Sequence, residues 1–435
     1  MFKRIAECFK SKEVRVKLII TLLLLLVFRV GCWLPIPGIN TAAFETIATE
    51  NSFLSLLSSI NGGSLANGAF LALGVSPYIS ASIIIQLLSI AIPSWQRLSK
   101  EGEEGRKKLN KYTRYAALVL GIAQAVGIVL GFGDTIQANM LWSGAPQWVT
   151  SVFVIAVLVA GAMFTVWLGE RITELGIGNG QSLLIFVGIL SSAGAAIIQN
   201  ITSVANGNLN DLWPLLLFVV ALVAIFALIV FVDLAERRVP VQYAKQMKGR
   251  KMYGGQSTNI PIRVNGSGVM PIIFASALLT FPQLIMSIVA PNSSAMAWYN
   301  QWMGSGSWLY IVVSSILILF FAYFYSQITF NPDDISKQIQ QNGGFIPGIR
   351  PGKPTSEYLR KISNRIVLFG AIFLAVIALV PNLIFKGIAD GTNAGASLIN
   401  AFSATGLLIV VSVALEFDKQ LEAQLLMKNY RGFLK

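Results

Sequence analysis

Residues 74–82 read GVSPYISAS, and residues 268–276 read GVMPIIFAS. Gly, Val, Pro, Ile, Ala and Ser recur at six of the nine places, which sets Ile79 opposite Ile273. Apolar sequence produces such matches by chance, so their weight depends on where they fall. Crossing about 30 Å of hydrocarbon takes about 20 apolar residues at a rise of about 1.5 Å each. Ten segments qualify, at about 18–34, 70–92, 115–132, 148–168, 181–198, 212–234, 268–290, 308–327, 366–385 and 396–415. The two copies lie in the second and the seventh, so each is the second of five. An odd number of spans per half inserts the second half upside down. In such inverted repeats, segments interrupted by Pro or Gly at matching places point to the functional centre. The expected fold is all-α and polytopic, with ten transmembrane helices in two inverted halves, residues 1–205 and 206–435.

Composition supports the membrane class. Of 435 residues, 54% are hydrophobic and 12% charged, and the mean hydropathy is +0.66. A soluble core does not absorb that much apolar surface. The two cysteines, Cys8 and Cys32, give no disulfide framework and no thiolate metal site. Histidine is absent. That removes the commonest general base and transition-metal ligand, along with any HExxH site or Ser–His pair. No enzymatic activity, metal or cofactor is expected. The first apolar run continues to Leu34 without a small-residue cleavage site, so it reads as a retained span. Trp33, Trp95, Trp142, Trp148, Trp213 and Trp308 lie at or just beyond segment ends, where amphipathic rings prefer to sit.

Charge fixes the orientation. Lys and Arg number 6 in residues 1–17, 7 in 93–114, 1 in 169–180, 7 in 235–267, 6 in 328–365 and 4 in 416–435, together 31 of 33. Alternating spans put all of these on one side, leaving only Arg29 and Lys386 elsewhere. The positive-inside rule then makes both termini cytoplasmic in a multi-pass protein. The net charge of +13 is thus a property of one membrane face, suited to anionic lipid, nucleic-acid phosphate or acidic protein. Two inner loops, 235–267 and 328–365, carry RRVPVQYAKQMKGRKMYGGQSTNIPIRVN and FIPGIRPGKPTSEYLRK. Their basic residues mixed with Gly and Pro predict shaped protrusions rather than plain helices.

Between the first two spans, residues 53–60 fit a short helix ended by Asn61, Gly62 and Gly63. It is too short to span. It lies either at the interface or folded back among the spans, since irregular backbone at membrane depth is tolerated only where protein or a cavity surrounds it. Apart from Arg29, whose long side chain is expected to reach the outer interface, the span interiors hold no Lys, Arg, Asp or Glu. Pumps and proton symporters place their coupling groups there, so this absence argues against them. A sodium site of carbonyls and hydroxyls stays open. The spans and their ends do hold Ser80, Ser82, Gln86, Gln124, Asn179, Gln181, Ser182 and Ser276. Any one serine suits tight helix packing. Ile79 and Ile83 share a helical stripe, which is either core or an apolar constriction beside a wet vestibule.

With these residues assembled, the chain resembles the SecY family, channel subunits of the bacterial protein translocase. The resemblance runs along essentially the whole chain. It is carried by PIPGI (35–39), GVSPYISASIIIQLL (74–88), ELGIGNGQSLLIF (174–186), GVMPIIFASALLTFP (268–282), FSATGLLIVVSVALEFD (402–418) and the two basic loops. It implies a clamshell of two five-helix halves around a central hourglass pore. The ring narrowing that pore would be Ile79, Ile83, Ile185, Ile273 and Ile409. A plug near 53–68, with Leu54, Leu57, Ile60, Gly62 and Gly63, would close the outer funnel. Segments 2, 3, 7 and 8 would form a lateral gate, with Gln124, Phe281, Ser82 and Ser276 at gate positions. Through it, signal sequences intercalate and apolar segments of nascent polypeptides leave for lipid. Arg350, with Lys248, Arg250 and Lys251 in the other loop, would dock the ribosome or the motor SecA. SecE and SecG would be partner subunits, and anionic lipids would face the basic side.

The physics suits that implication. A pore for a chain of changing side chains cannot rely on specific hydrogen bonds, whereas a β-branched apolar ring is sequence-tolerant and dewets when empty. There is no GxxxxGK[ST] pattern, so the work must come from a docked partner or the membrane potential. Without the motifs, a small-solute carrier on an inverted repeat stays open, but a carrier has no need of two long basic loops. An intramembrane enzyme is disfavoured by the missing histidine.

Overall fold

The computed structural model describes residues 11–36, 58, 61–131, 146–205, 212–243, 246–248, 251–253, 257–266, 268, 270–289, 293–303, 307–389 and 404–432. Its helices are α1 (Lys12–Gly31), α2 (Ser76–Ala91), α3 (Pro93–Lys100), α4 (Glu103–Gly131), α5 (Gln147–Leu175), α6 (Gly180–Ala205) and α7 (Leu212–Asp233). Four strands follow, β1 (Glu236–Tyr243), β2 (Gln246–Lys248), β3 (Lys251–Tyr253) and β4 (Ser257–Arg263). Then come α8 (Met270–Val289), α9 (Ser294–Met303), α10 (Trp308–Thr329), α11 (Pro332–Gln341), β5 (Gly344–Phe345), α12 (Lys353–Ala389) and α13 (Ala404–Gly432). Each apolar segment of the sequence falls wholly or partly on one of these helices. Six of the described helices are long and apolar enough to cross a membrane. The protein is a multi-pass membrane protein. The most apolar of its spans, in α7, turns Leu216, Leu217, Val220, Val223 and Phe231 outward, with Phe231 77% exposed. Exposed apolar surface of that extent on a helix apolar all round belongs against lipid.

The second span differs from expectation at its start. Segment 70–92 was expected to be helical throughout, but helix begins only at Ser76, and 61–75 is a chain of turns. The cause is local. Gly74 takes φ +53°, and Pro77 occupies the first turn of α2, where its missing N–H costs nothing but its ring disfavours helix further back. The second copy of the repeat behaves identically. Gly268 takes φ +62°, and α8 opens at Met270 with Pro271 next. The serines match too. The Ser82 hydroxyl donates to the Ile79 carbonyl at 2.8 Å, and the Ser276 hydroxyl donates to the Ile273 carbonyl at 2.9 Å. The sequence repeat is thus a repeat of local structure. At 16 residues α2 rises about 24 Å, short of the hydrocarbon thickness of about 30 Å, and an irregular loop precedes it. That loop is buried in protein: Ser64, Ala69 and Leu71 have no exposure, which meets the condition for irregular backbone at membrane depth.

The chain divides into two compact units. The first comprises residues 1–215, 277–310 and 385–435, and the second 216–276 and 311–384. In the first, α2 packs on α4, α4 on α5, α5 on α6 and α1, and α6 on α13. Ile36, Leu65, Leu73, Ala125, Val154 and Leu158 form its main described core. The close approaches depend on a stripe along α5, Gly161, Thr165, Gly169 and Thr173, spaced four apart. Each threonine hydroxyl donates to the glycine carbonyl four residues before, both at 2.9 Å. A Cβ at Gly161 would run into the Phe70 carbonyl, and one at Gly180 into the Gly169 carbonyl. Because the obstacles are backbone, Gly161→Leu is expected to destabilise the first unit by about 3 kcal/mol, the upper range for overpacking. Thermal unfolding in detergent checks this, and an unchanged midpoint would contradict it.

The second unit holds both long basic loops. β1 pairs antiparallel with β4 from Glu236↔Arg263 to Gln242↔Ser257, and its other edge pairs with β5 at Gln242↔Phe345 and Tyr243↔Gly344. One loop therefore supplies two strands of a sheet and the other loop the third, in the order β4-β1-β5. Val239, Val241, Ile262, Ile339, Ile346 and Leu359 close a small core beneath it. The protrusions expected from Gly and Pro content are one folded body.

Candidate functional site

Ile79 and Ile83 lie one turn apart on α2, Ile185 on α6 and Ile409 on α13, all in the first unit; Ile273 lies on α8 in the second. Ile83 is 8% exposed, and Ile185 and Ile409 are 6% exposed each, while Ile79 and Ile273 are half-buried. α6 and α13, which carry Ile185 and Ile409, pack against one another. α6 is placed with care. The turn before it, Gly176–Asn179, is pinned where the Thr21 hydroxyl accepts from the Ile177 N–H at 3.1 Å and the Thr173 hydroxyl accepts from the Gly180 N–H at 2.9 Å. Asn179 Oδ1 caps α6 by accepting from Gln181 N–H at 3.1 Å.

Of the gate candidates, Gln124 on α4 is 8% exposed, and its Oε1 has no hydrogen-bond partner among the described residues. A buried amide oxygen left unpaired costs about 1–3 kcal/mol. Ser82 and Ser276 are half-buried and bonded back to their own helices, as above. Phe281 lies on α8 directly before Pro282, the proline inside that helix. An interior proline removes one helical hydrogen bond and is a usual site of helix bending. The Tyr299 hydroxyl of α9 donates to the neighbouring Leu279 carbonyl.

Of the plug candidates, Leu54, Leu57 and Ile60 lie outside the described residues. The glycines are described. Gly63 N–H donates to the Ser58 carbonyl at 2.7 Å, with Gly62 at φ +70°, which is the six-to-one bond and left-handed residue of a helix-ending Schellman turn. The turn is fastened to its surroundings. Asn61 Nδ2 donates to the Ala72 carbonyl at 3.0 Å, and Arg29 donates to the Gly62 carbonyl at 2.9 Å. The Arg29 guanidinium thus turns onto this loop and also lies 5.2 Å from the Trp33 ring centre. Sequence reasoning missed this contact because its partner is a backbone carbonyl 33 residues away. It also missed the α5 stripe, which the small residues every four places would have revealed.

Arg350 follows β5 in a tightly held turn. Its carbonyl accepts from the Thr355 hydroxyl at 2.8 Å, the Gly352 carbonyl accepts from the Ser336 hydroxyl at 2.7 Å, and Gly348 and Gly352 take φ +82° and +97°. Its side chain is exposed and has no acidic partner among the described residues. Nearby, Asn331 caps α11. The Ser356 hydroxyl, with Arg360 at 2.9 Å and Lys337, holds the Asp333 carboxyl below its ordinary range despite some desolvation. Lys248 and Lys251 face each other across the β2–β3 hairpin register, and Arg250 lies outside the described residues.

Apolar helices with a repeated local structure, together with a basic, sheet-built loop domain, fit one class, that of protein-conducting channels. Among solved structures, the chain is similar to "The structure of a protein conducting channel" (TM-score 0.68, 19% identity, covering 94% of this chain and 92% of that one). It is also similar to "Sec61 in the Canine ribosome-channel complex from the endoplasmic reticulum" (TM-score 0.64, 18% identity, 94% and 92%). These share its fold. The SecY family model matches residues 69–417. Protein translocase subunit SecY of Mycobacterium tuberculosis is 41% identical over 455 residues, covering 100% of both chains. That of Thermotoga maritima is 41% identical over 443 residues, covering 100% of this chain and 98% of the relative. The chain belongs to the SecY family, and it is a channel subunit rather than an enzyme.

Proposed function

We propose that the chain is the central protein-conducting channel of a translocase in the cytoplasmic membrane, with both termini cytoplasmic and residues 1–205 and 206–435 as its inverted halves. The observation that carries this is the duplicated Gly-Val-x-Pro start of α2 and α8, which brings Ile79 and Ile273 to equivalent places. Ile79, Ile83, Ile185, Ile273 and Ile409 would form the apolar ring that grips a passing chain and dewets when none is present. Gln124, Ser82, Ser276 and Phe281 would line the lateral gate. The Gln124 oxygen, buried without a partner among the described residues, supports this as a polar group kept at a cost. The segment ending at Gly62 and Gly63, with Leu54, Leu57 and Ile60, would be the plug.

Arg350, Lys248, Arg250 and Lys251 would dock the ribosome or SecA, which a basic, folded platform with a free guanidinium favours. SecE and SecG would complete the complex, and the lipid-facing α7 and basic inner face suit anionic lipid. Signal sequences and nascent polypeptides would be the substrates. In reconstituted translocase, a stalled secretory precursor is expected to crosslink to cysteine at Ile79 or Ile273. Crosslinking confined to lipid-facing positions such as Phe231 would overturn the pore assignment.

A further inference from the structure

Arg29 is the one charged residue in the interiors of the apolar segments, and an arginine within such a segment is costly unless its donors are satisfied. No carboxylate answers it among the described residues. Its described partners include the Gly62 carbonyl at 2.9 Å, the Trp33 ring at 5.2 Å and the Cys32 side chain. The receiving turn is built for the contact. Gly62 has φ +70°, and a Cβ there would stand 2.9 Å from the Arg29 guanidinium, 3.0 Å from the Gly188 carbonyl and 3.1 Å from the Gly188 Cα. Gly62 is thus wedged between α1 and the backbone of α6. Gly188 lies three residues beyond Ile185 on that helix, one turn away. The same turn reaches the start of α2 through Asn61, whose amide donates to the Ala72 carbonyl and whose side chain fills the space left by the absent Cβ of Gly74. Cys32, with no exposure, closes the far side, its Sγ 3.9 Å from the Asn61 carbonyl.

We propose that Arg29 is a positioning residue for the constriction: it clamps the Asn61–Gly63 turn between α1 and α6, and so holds the helices of Ile83 and Ile185 in the closed arrangement. The inference rests on the channel reading and adds to it a residue outside the ring, the gate and the docking loops. A guanidinium suits the task because its charge-assisted bond to a carbonyl stays strong in a dry setting, while its flat face stacks on Trp33. Lysine keeps the charge but loses both the fork and the stacking surface.

The test uses the full translocase complex in vesicles, carrying the parent chain, Arg29→Lys or Arg29→Gln. Three readings are taken: resting chloride leak, export of a precursor with an intact signal, and export of the same precursor with a defective signal. With complex abundance and intact-signal export near parental, both variants are expected to raise the leak about tenfold and to pass the defective precursor. Tenfold is the size of one charge-assisted hydrogen bond lost from the closed state alone. Parental leak and parental signal stringency in both variants would overturn the proposal. Failure of both variants to accumulate would do so too, by assigning Arg29 to folding alone. Failure of the parent complex to export even the intact precursor would instead strike the channel reading, which separates the two.

Discussion

Arg350→Glu is expected to lower motor-driven export of a secretory precursor by about tenfold or more while leaving the chain folded. A like-charge juxtaposition in a docked interface costs several kcal/mol, and each 1.4 kcal/mol is about tenfold in affinity. Folding is spared because the turn is held by its backbone: the Arg350 carbonyl, not its side chain, takes the Thr355 bond. Arg350→Lys should lose part of the effect, since a point charge replaces a planar fork. Export measured at saturating precursor with rising motor concentration gives the sign. Recovery at high motor concentration marks a docking defect, and undiminished export of the Glu variant would remove Arg350 from the docking surface.

The second large effect concerns the ring. Ile83→Asn with Ile185→Asn is expected to raise resting ion leak through reconstituted channels by about tenfold or more, because a polar collar stays wet where an apolar one empties. Ile83→Leu with Ile185→Leu should stay within about twofold of the parent, being apolar and of equal volume. Planar-bilayer conductance distinguishes them. If the Asn and Leu pairs conduct alike, hydrophobicity is not what seals the path.

How much of this was legible in the sequence follows the reach of the interactions. Span positions, the repeat and the glycine-ended turn at 61–63 are local, so hydropathy, Pro and Gly disclose them. The start of α2 was misjudged because apolarity alone carried the segment back to residue 70, while Pro77 and the left-handed Gly74 decided otherwise. The Arg29 contact stayed hidden for a different reason: its carbonyl partner has no side-chain signature. The union of the two basic loops into one sheet was hidden likewise, since β5 is two residues long and pairs across about a hundred residues of chain. The ring and gate residues came from family resemblance. Composition left Ile79 and Ile83 equally suited to core packing.

The length of α12 has a mechanical consequence. It begins three residues after Arg350 and runs for 37 residues, about 55 Å, far more than a membrane needs, and its first interior proline is Pro381, 28 residues on. Its first turns belong to the loop-domain core through Leu359, and Gly370 lets it lie directly against the Val264 carbonyl. A partner pressing on the Arg350 turn would therefore push on the end of a stiff rod that meets no proline joint before Pro381. Binding on the inner face would arrive at membrane depth as displacement, with the sheet as the fulcrum.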